Sequence, residues 1–135
     1  MQGLMQARPL ALPHIFHRAE RHFAHKTITT TTATGEISTT YGQCAQRIRL
    51  LATALDALGL GPDARVGTFS WNTQQHLELY FAVPCTGRIL HTLNIRLFED
   101  QLGYIVNHSG DEAIFDAIPK TSTGKFSKKA LRERV

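Results

Sequence analysis

An α/β fold with a small, mainly parallel sheet is what this 135-residue sequence predicts, and three patterns carry the prediction. From residue 65 onward short apolar runs alternate with stretches of helical periodicity, the alternation that lays helices over a parallel sheet. Before it, two β-branched runs flank a glycine-containing turn, as in a hairpin. Between the two lies a long amphipathic stretch with its own start and stop signals.

Leu12 to Phe23 reads as the first helix. Leu12, Ile15, Phe16, Ala19 and Phe23 recur at helical spacing, and Pro13 sits in the first turn, where its missing N–H costs nothing. The opposite face carries His14, His17, Arg18, Arg21 and His22, with His25 beyond. Four histidines in twelve residues invite a metal reading, but no carboxylate or cysteine pattern accompanies them, so a solvated face is expected.

Lys26 to Ala33 and Glu36 to Thr40, joined through Thr34-Gly35, form the expected hairpin. Thr40 with Gln43 fits a capping box that opens a helix carrying Ala45, Ile48, Leu51, Leu55 and Leu58 on one face; Gly59 and Gly61-Pro62 end it. Arg65 to Ser70 is then a strand, and Asn72 can cap a helix from Thr73 to about Val83. Leu77, Tyr80 and Phe81 are expected to face inward, and Pro84 to stop or kink the helix. Arg88 to Leu93 is a second strand, Phe98 to Asn107 a helix with Leu102, Ile105 and Val106 inward, and Glu112 to Phe115 a third strand. Short links between these elements imply right-handed crossovers.

The alternation fails after Phe115, with no linker composition to explain the change. Two modules are therefore expected, residues 1–115 and residues 116–135. The charge distribution divides the same way. The net charge is +4, yet residues 120–135 alone carry Lys120, Lys125, Lys128, Lys129, Arg132 and Arg134 against Glu133. Such a tail attracts phosphates of any kind. It lacks the interleaved aromatics that stack on bases, Phe126 standing alone, so nucleic-acid binding is the weakest of the readings considered.

The apolar fraction of 42% and charged fraction of 19% are those of a globular protein. Cys44 and Cys85 lack the paired spacing of a zinc or redox site and are expected to be buried reduced thiols. No apolar run suits a signal peptide or a membrane span, so a cytoplasmic location is expected.

The segment Thr121-Ser122-Thr123-Gly124-Lys125 superficially matches a Walker A loop. That motif requires glycine where Pro119 stands and Ser or Thr where Phe126 stands. The run Pro119-Lys120-Thr121, then Gly124-Lys125, then a short basic helix to Arg134 instead resembles the lysine loop in the C-terminal lid of acyl-CoA synthetases, which are acyl-adenylate-forming enzymes. Residues 12–20 (LPHIFHRAE), 69–73 (FSWNT), 79–87 (LYFAVPCTG) and 91–98 (HTLNIRLF) are similar to the N-terminal part of medium- and long-chain fatty-acyl-CoA synthetases. In that family several hundred residues separate the two stretches; here they are adjacent.

The resemblance implies ATP-dependent adenylation of a fatty acid followed by transfer to CoA, with Mg²⁺ accompanying ATP. It implies that Lys125 is the catalytic lysine contacting the acyl carboxylate and the nucleotide α-phosphate. An ammonium there offsets the repulsion of two anionic groups brought together. Gly124 would permit the turn that presents it, and Thr123 and Gly124 would lie at the nucleotide or substrate. The family's Ser/Thr/Gly-rich phosphate loop, adenine-binding segment, ribose-binding aspartate and hinge do not occur in this sequence. An internally deleted, catalytically inactive synthetase is therefore expected, binding none of these cofactors alone. The alternative is a non-catalytic module that associates with an intact synthetase, or with itself, through a truncated sheet edge. Trp71 is expected to be a buried aromatic anchor.

Overall fold

The computed structural model describes residues 3–5, 7–32 and 35–115, and the expected module at 116–135 lies outside them. The element order is α1 (Leu12–Phe23), β1 (Thr27–Thr32), β2 (Gly35–Thr40), α2 (Tyr41–Ala57), β3 (Arg65–Thr68), α3 (Gln74–Cys85), β4 (Ile89–Thr92), α4 (Glu99–Ser109) and β5 (Ala113–Phe115). Every element expected between residues 12 and 115 is present, with bounds within a few residues, and the short basic helix expected before Arg134 lies outside the described residues.

β1 and β2 form an antiparallel hairpin in which Thr27 faces Thr40 and Thr32 faces Gly35. β3, β4 and β5 form a separate parallel sheet in the order β4-β3-β5. β4 and β5 flank β3 on opposite sides, so right-handed crossovers place α3 and α4 on opposite faces of the sheet. The α3 face is the well-filled one. Val66, Leu90, Ala113 and Phe115 point from the strands toward Ile48, Leu51 and Leu55 of α2, Leu79, Ala82 and Val83 of α3, and Phe16 of α1. On the α4 face the helix is only half-buried, through Leu102, Ile105 and Val106.

Local signals explain the helix ends. At α2, Thr40 Oγ1 accepts from the Gln43 backbone N–H while Gln43 Oε1 accepts from the Thr40 N–H, the expected capping box. The cap of α3 is Thr73, not Asn72: its side chain accepts from the His76 N–H. Pro84 does not stop this helix. It falls in the last turn, and the Thr86 hydroxyl closes the end by donating to the Ala82 and Val83 carbonyls.

The inward face of α3 also differs from expectation. Leu77 and Phe81 are half-buried and Tyr80 is exposed, whereas His76, Glu78, Leu79, Ala82 and Val83 are buried. The helix packs against α2 and against the sheet on adjacent sides, so its buried surface is broader than one stripe and is rotated toward Glu78. On α1 only Phe16 is fully buried, with Leu12, Ile15 and Phe23 at the surface. Cys44 is buried and Cys85 half-buried, both as free thiols.

Candidate functional site

In an open parallel sheet the crevice for a ligand lies beyond the carboxyl ends of the strands, where successive connections leave in opposite directions. Among the described residues, the connections β3→β4 and β4→β5 run in opposite directions about the central strand β3. The three carboxyl ends are tied together: the Phe69 N–H donates to the Phe115 carbonyl and the Leu93 N–H to the Thr68 carbonyl, both at 2.8 Å. The chain leaves β3 through Phe69, Ser70, Trp71 and Asn72 into the amino end of α3.

The groups at this end are already engaged. Thr68 Oγ1 and His76 Nε2, both buried, lie 3.1 Å apart. Burial pulls the His76 ring below its ordinary histidine value, partly offset by the Trp71 backbone; a neutral imidazole results. The Gln74 N–H donates to Thr30 Oγ1 of the hairpin at 3.0 Å, and Thr73 takes the His76 N–H. Between hairpin and helix remains an open groove of about 260 Å³ floored by Ile28, Thr30, His76, Leu77 and Tyr80.

Trp71 is not the buried anchor that its sequence context suggests. It is 69% exposed at the rim of this end, because the β3–α3 turn carries it past the last strand residue and away from the core.

Four further polar pairs, invisible as pairs in the sequence, tie elements together; Glu78, Arg88 and Asp111 are buried members, whereas Arg49 with Glu20 lies at the surface. Glu78, with no exposed surface, receives Arg47 Nε at 2.5 Å and Gln74 Nε2 at 2.7 Å on the same oxygen, and its other oxygen meets no donor among the described residues. Arg88 bonds the Leu60 carbonyl, Asp56 Oδ1 and Thr86 Oγ1, fastening the turn after α2 to the turn after α3. Arg49 forms a two-pronged pair with Glu20, holding that carboxyl below the usual range.

The fourth pair is His91 with Asp111. His91 Nδ1 lies 3.0 and 2.9 Å from the two Asp111 oxygens, across the central strand. Gly67 makes this crossing possible: a Cβ built on it would stand 3.0 Å from Asp111 Oδ2 and 3.2 Å from Ile114 Cγ1. At Cys44, burial pushes the thiol up to about 11, with Glu78 adding to the shift. A thiol so placed is a poor nucleophile at neutral pH.

The described residues thus hold titratable groups that are mostly paired for structure rather than convergent on a cavity. Among them no group of three His, Cys, Asp or Glu side chains is placed to hold a metal ion. No helix is long and apolar enough to cross a membrane. Lys125, Thr123 and Gly124 lie outside the described residues.

Comparison with known proteins supplies the context. A family model described as AMP-binding enzyme matches residues 15–134. The chain is 38% identical over 116 residues to a 3-methylmercaptopropionyl-CoA ligase of Ruegeria lacuscaerulensis, a match covering 85% of this chain and 22% of that protein. It is 41% identical over 111 residues to a long-chain-fatty-acid–CoA ligase of Thermus thermophilus, covering 82% of this chain and 20% of that one. Among solved structures, a benzoate CoA ligase from Burkholderia xenovorans LB400 superposes with a TM-score of 0.67 at 28% identity, covering 76% of this chain and 20% of its own. The chain therefore spans about a fifth of the length of the curated relatives it matches.

Proposed function

The chain belongs to the AMP-binding enzyme family, and from that premise we propose that it descends from a fatty-acyl-CoA ligase, keeps the N-terminal scaffold and the lysine loop of the lid, and does not perform the reaction alone. In the parent reaction a fatty acid attacks the α-phosphate of ATP, pyrophosphate leaves, and CoA then displaces AMP to form the thioester. The part of this chemistry that falls to the present residues is one cation, Lys125, which would sit between carboxylate and phosphate. Gly124 would turn the backbone beneath it, and Thr123 would lie beside the nucleotide.

The observation that carries the reading is the disproportion between the two kinds of match. The family resemblance runs to residue 134, yet the chain has about a fifth of the relatives' length. The geometry is consistent with it. The Gln74 and His76 amides at the start of α3 are taken by Thr30 and Thr73, and the carboxylates of Glu20, Asp56, Glu78 and Asp111 are committed to arginine or histidine. These residues do not fit a Mg²⁺–triphosphate group, which needs free backbone donors and unpaired carboxylates. A lone lysine does not supply the positioning on which adenylation depends. A cytoplasmic place in fatty-acid metabolism accompanies this reading.

The test is calorimetry of ATP binding to the purified chain, with and without a medium-chain fatty acid and Mg²⁺. No saturable heat is expected. Saturable binding that Lys125→Ala abolishes would mean that head and tail rebuild a nucleotide site, and the reading would be wrong.

A second reading, a module that joins an intact ligase, draws on the exposed apolar groups Ile89 on edge strand β4 and Phe98 before α4. Co-elution with a full-length ligase would favour it.

A further inference from the structure

We propose that helix α1, with the residues leading into it, docks this chain on the surface of a lipid bilayer that carries acidic headgroups. α1 packs against α2 and α3, and Phe16 is its one fully buried side chain. Leu12, Ile15 and Phe23 remain exposed beside it, Ile15 by 53%. Ahead of the helix, Leu4, Met5 and Leu10 stand almost wholly in solvent. Apolar side chains are thus concentrated at the surface along one stretch of chain.

Charge is concentrated in the same place. Residues 1–26 carry four cations, Arg8, Arg18, Arg21 and Lys26, and one carboxylate, Glu20. Residues 27–115 carry five cations and eight carboxylates. The first stretch is therefore net positive and the rest of the body net negative. Glu20 is paired with Arg49, so the one acid of α1 is already offset. Arg18 and Arg21 are both exposed, on the side of the helix away from Phe16. The Arg18 guanidinium lies 5.6 Å from the centre of the Phe23 ring, which presents a cation and an apolar group side by side.

These two features select the partner. A helix with an apolar edge and a cationic face lies in the plane of a membrane interface, its apolar side chains about 5–10 Å below the headgroups. Arginine and lysine stems let the charged heads reach back to the headgroup level, where acidic lipids attract them. A polyanion such as nucleic acid would engage the cations and leave the apolar side chains in water. A neutral apolar partner would cover those side chains and leave the cations idle. A bilayer with acidic headgroups takes both.

This inference does not depend on whether ATP binds. Its test is flotation of the full-length chain with vesicles of phosphatidylcholine and phosphatidylserine, where binding is expected, and with vesicles of phosphatidylcholine alone, where little is expected. Arg18→Gln with Arg21→Gln should weaken partitioning roughly thirtyfold, about fivefold for each cation. Leu10→Asp with Ile15→Asp, at exposed positions, should weaken it at least as much. Both variants should unfold in urea as the wild type does, which separates lost docking from lost folding. Residues 116–135 carry cations of their own, so Lys128→Gln with Lys129→Gln is the control and should retain most of the binding.

Binding that both α1 variants retain, or that the control variant alone removes, would overturn the proposal. Equal binding to the two kinds of vesicle would overturn it as well. So would absence of flotation, and a shift of single-stranded DNA that Arg18→Gln with Arg21→Gln removes would then assign the cations to nucleic acid.

Discussion

Gly67→Ala should lower the stability of this chain, although alanine in a strand interior normally gains about 0.5–1 kcal/mol over glycine. The reason is the space that the missing side chain leaves. Gly67 sits on the central strand, opposite His91 of β4 on one side and Ile114 of β5 on the other. Its new Cβ would meet Asp111 Oδ2 at 3.0 Å, Asp111 Cγ at 3.3 Å and Ile114 Cγ1 at 3.2 Å. Asp111 cannot retreat freely, because its buried carboxylate is held by His91 at 2.9 Å.

Overpacking of this kind costs roughly 1–3 kcal/mol, so the net loss after the strand gain should be about 1 kcal/mol, the two ranges together allowing roughly 0–2.5. With a urea dependence of about 1–3 kcal/mol per molar, the unfolding midpoint should fall by roughly 0.5–1 M. The decisive assay is a double-mutant cycle with Asp111→Ala. In that background only Ile114 Cγ1, at 3.2 Å, opposes the methyl group, and Gly67→Ala should cost clearly less. The coupling between the two sites should then be about 1 kcal/mol or more. An equal cost of Gly67→Ala in both backgrounds would refute the claim that glycine is there to let the His91–Asp111 pair cross.

Two other outcomes follow from the buried groups. Glu78→Leu alone should cost about 3 kcal/mol by removing the buried carboxylate that Arg47 Nε and Gln74 Nε2 both meet; Arg47→Met should cost less in that background than in the wild type in urea unfolding, and equal costs would mean that the pair is not a unit. For His76, the folded ring binds its proton less readily than the unfolded one. As pH falls below 6.5 the unfolded chain protonates first, so stability should drop, with a slope of at most about 1.4 kcal/mol per pH unit, and should be unaffected by this group above that pH. Unfolding free energies of the wild type and His76→Gln between pH 7.5 and roughly 5 should diverge on the acid side, and parallel curves would exclude the effect.

Much of the architecture was legible because it rests on local rules. The hairpin follows from two threonine-rich runs about a glycine, the α2 start from Thr40 and Gln43, and the sheet class from strand–helix alternation. What failed was orientation. Trp71 and Tyr80 look like core residues in a list of neighbours, yet one lies in a turn beyond the strand and the other on the outer side of α3. Glu78 was visible as an acid inside the run Leu77 to Phe81, but its partner Arg47 lies 31 residues away on another helix, and nothing local joins them. The sites assigned to Thr123, Gly124 and Lys125 rest on the sequence motif and the family resemblance, not on placement.

The sequence by itself determined element types, the charge division between body and tail, and the family, since periodicity, caps and motif residues are properties of neighbours along the chain. The tertiary structure alone decided which charged groups are buried and with whom: Glu78 with Arg47, Arg88 with Asp56, and His91 with Asp111 through the gap at Gly67. Burial and pairing depend on distances between elements far apart in sequence, and those distances exist only once α2, α3 and the three strands have packed.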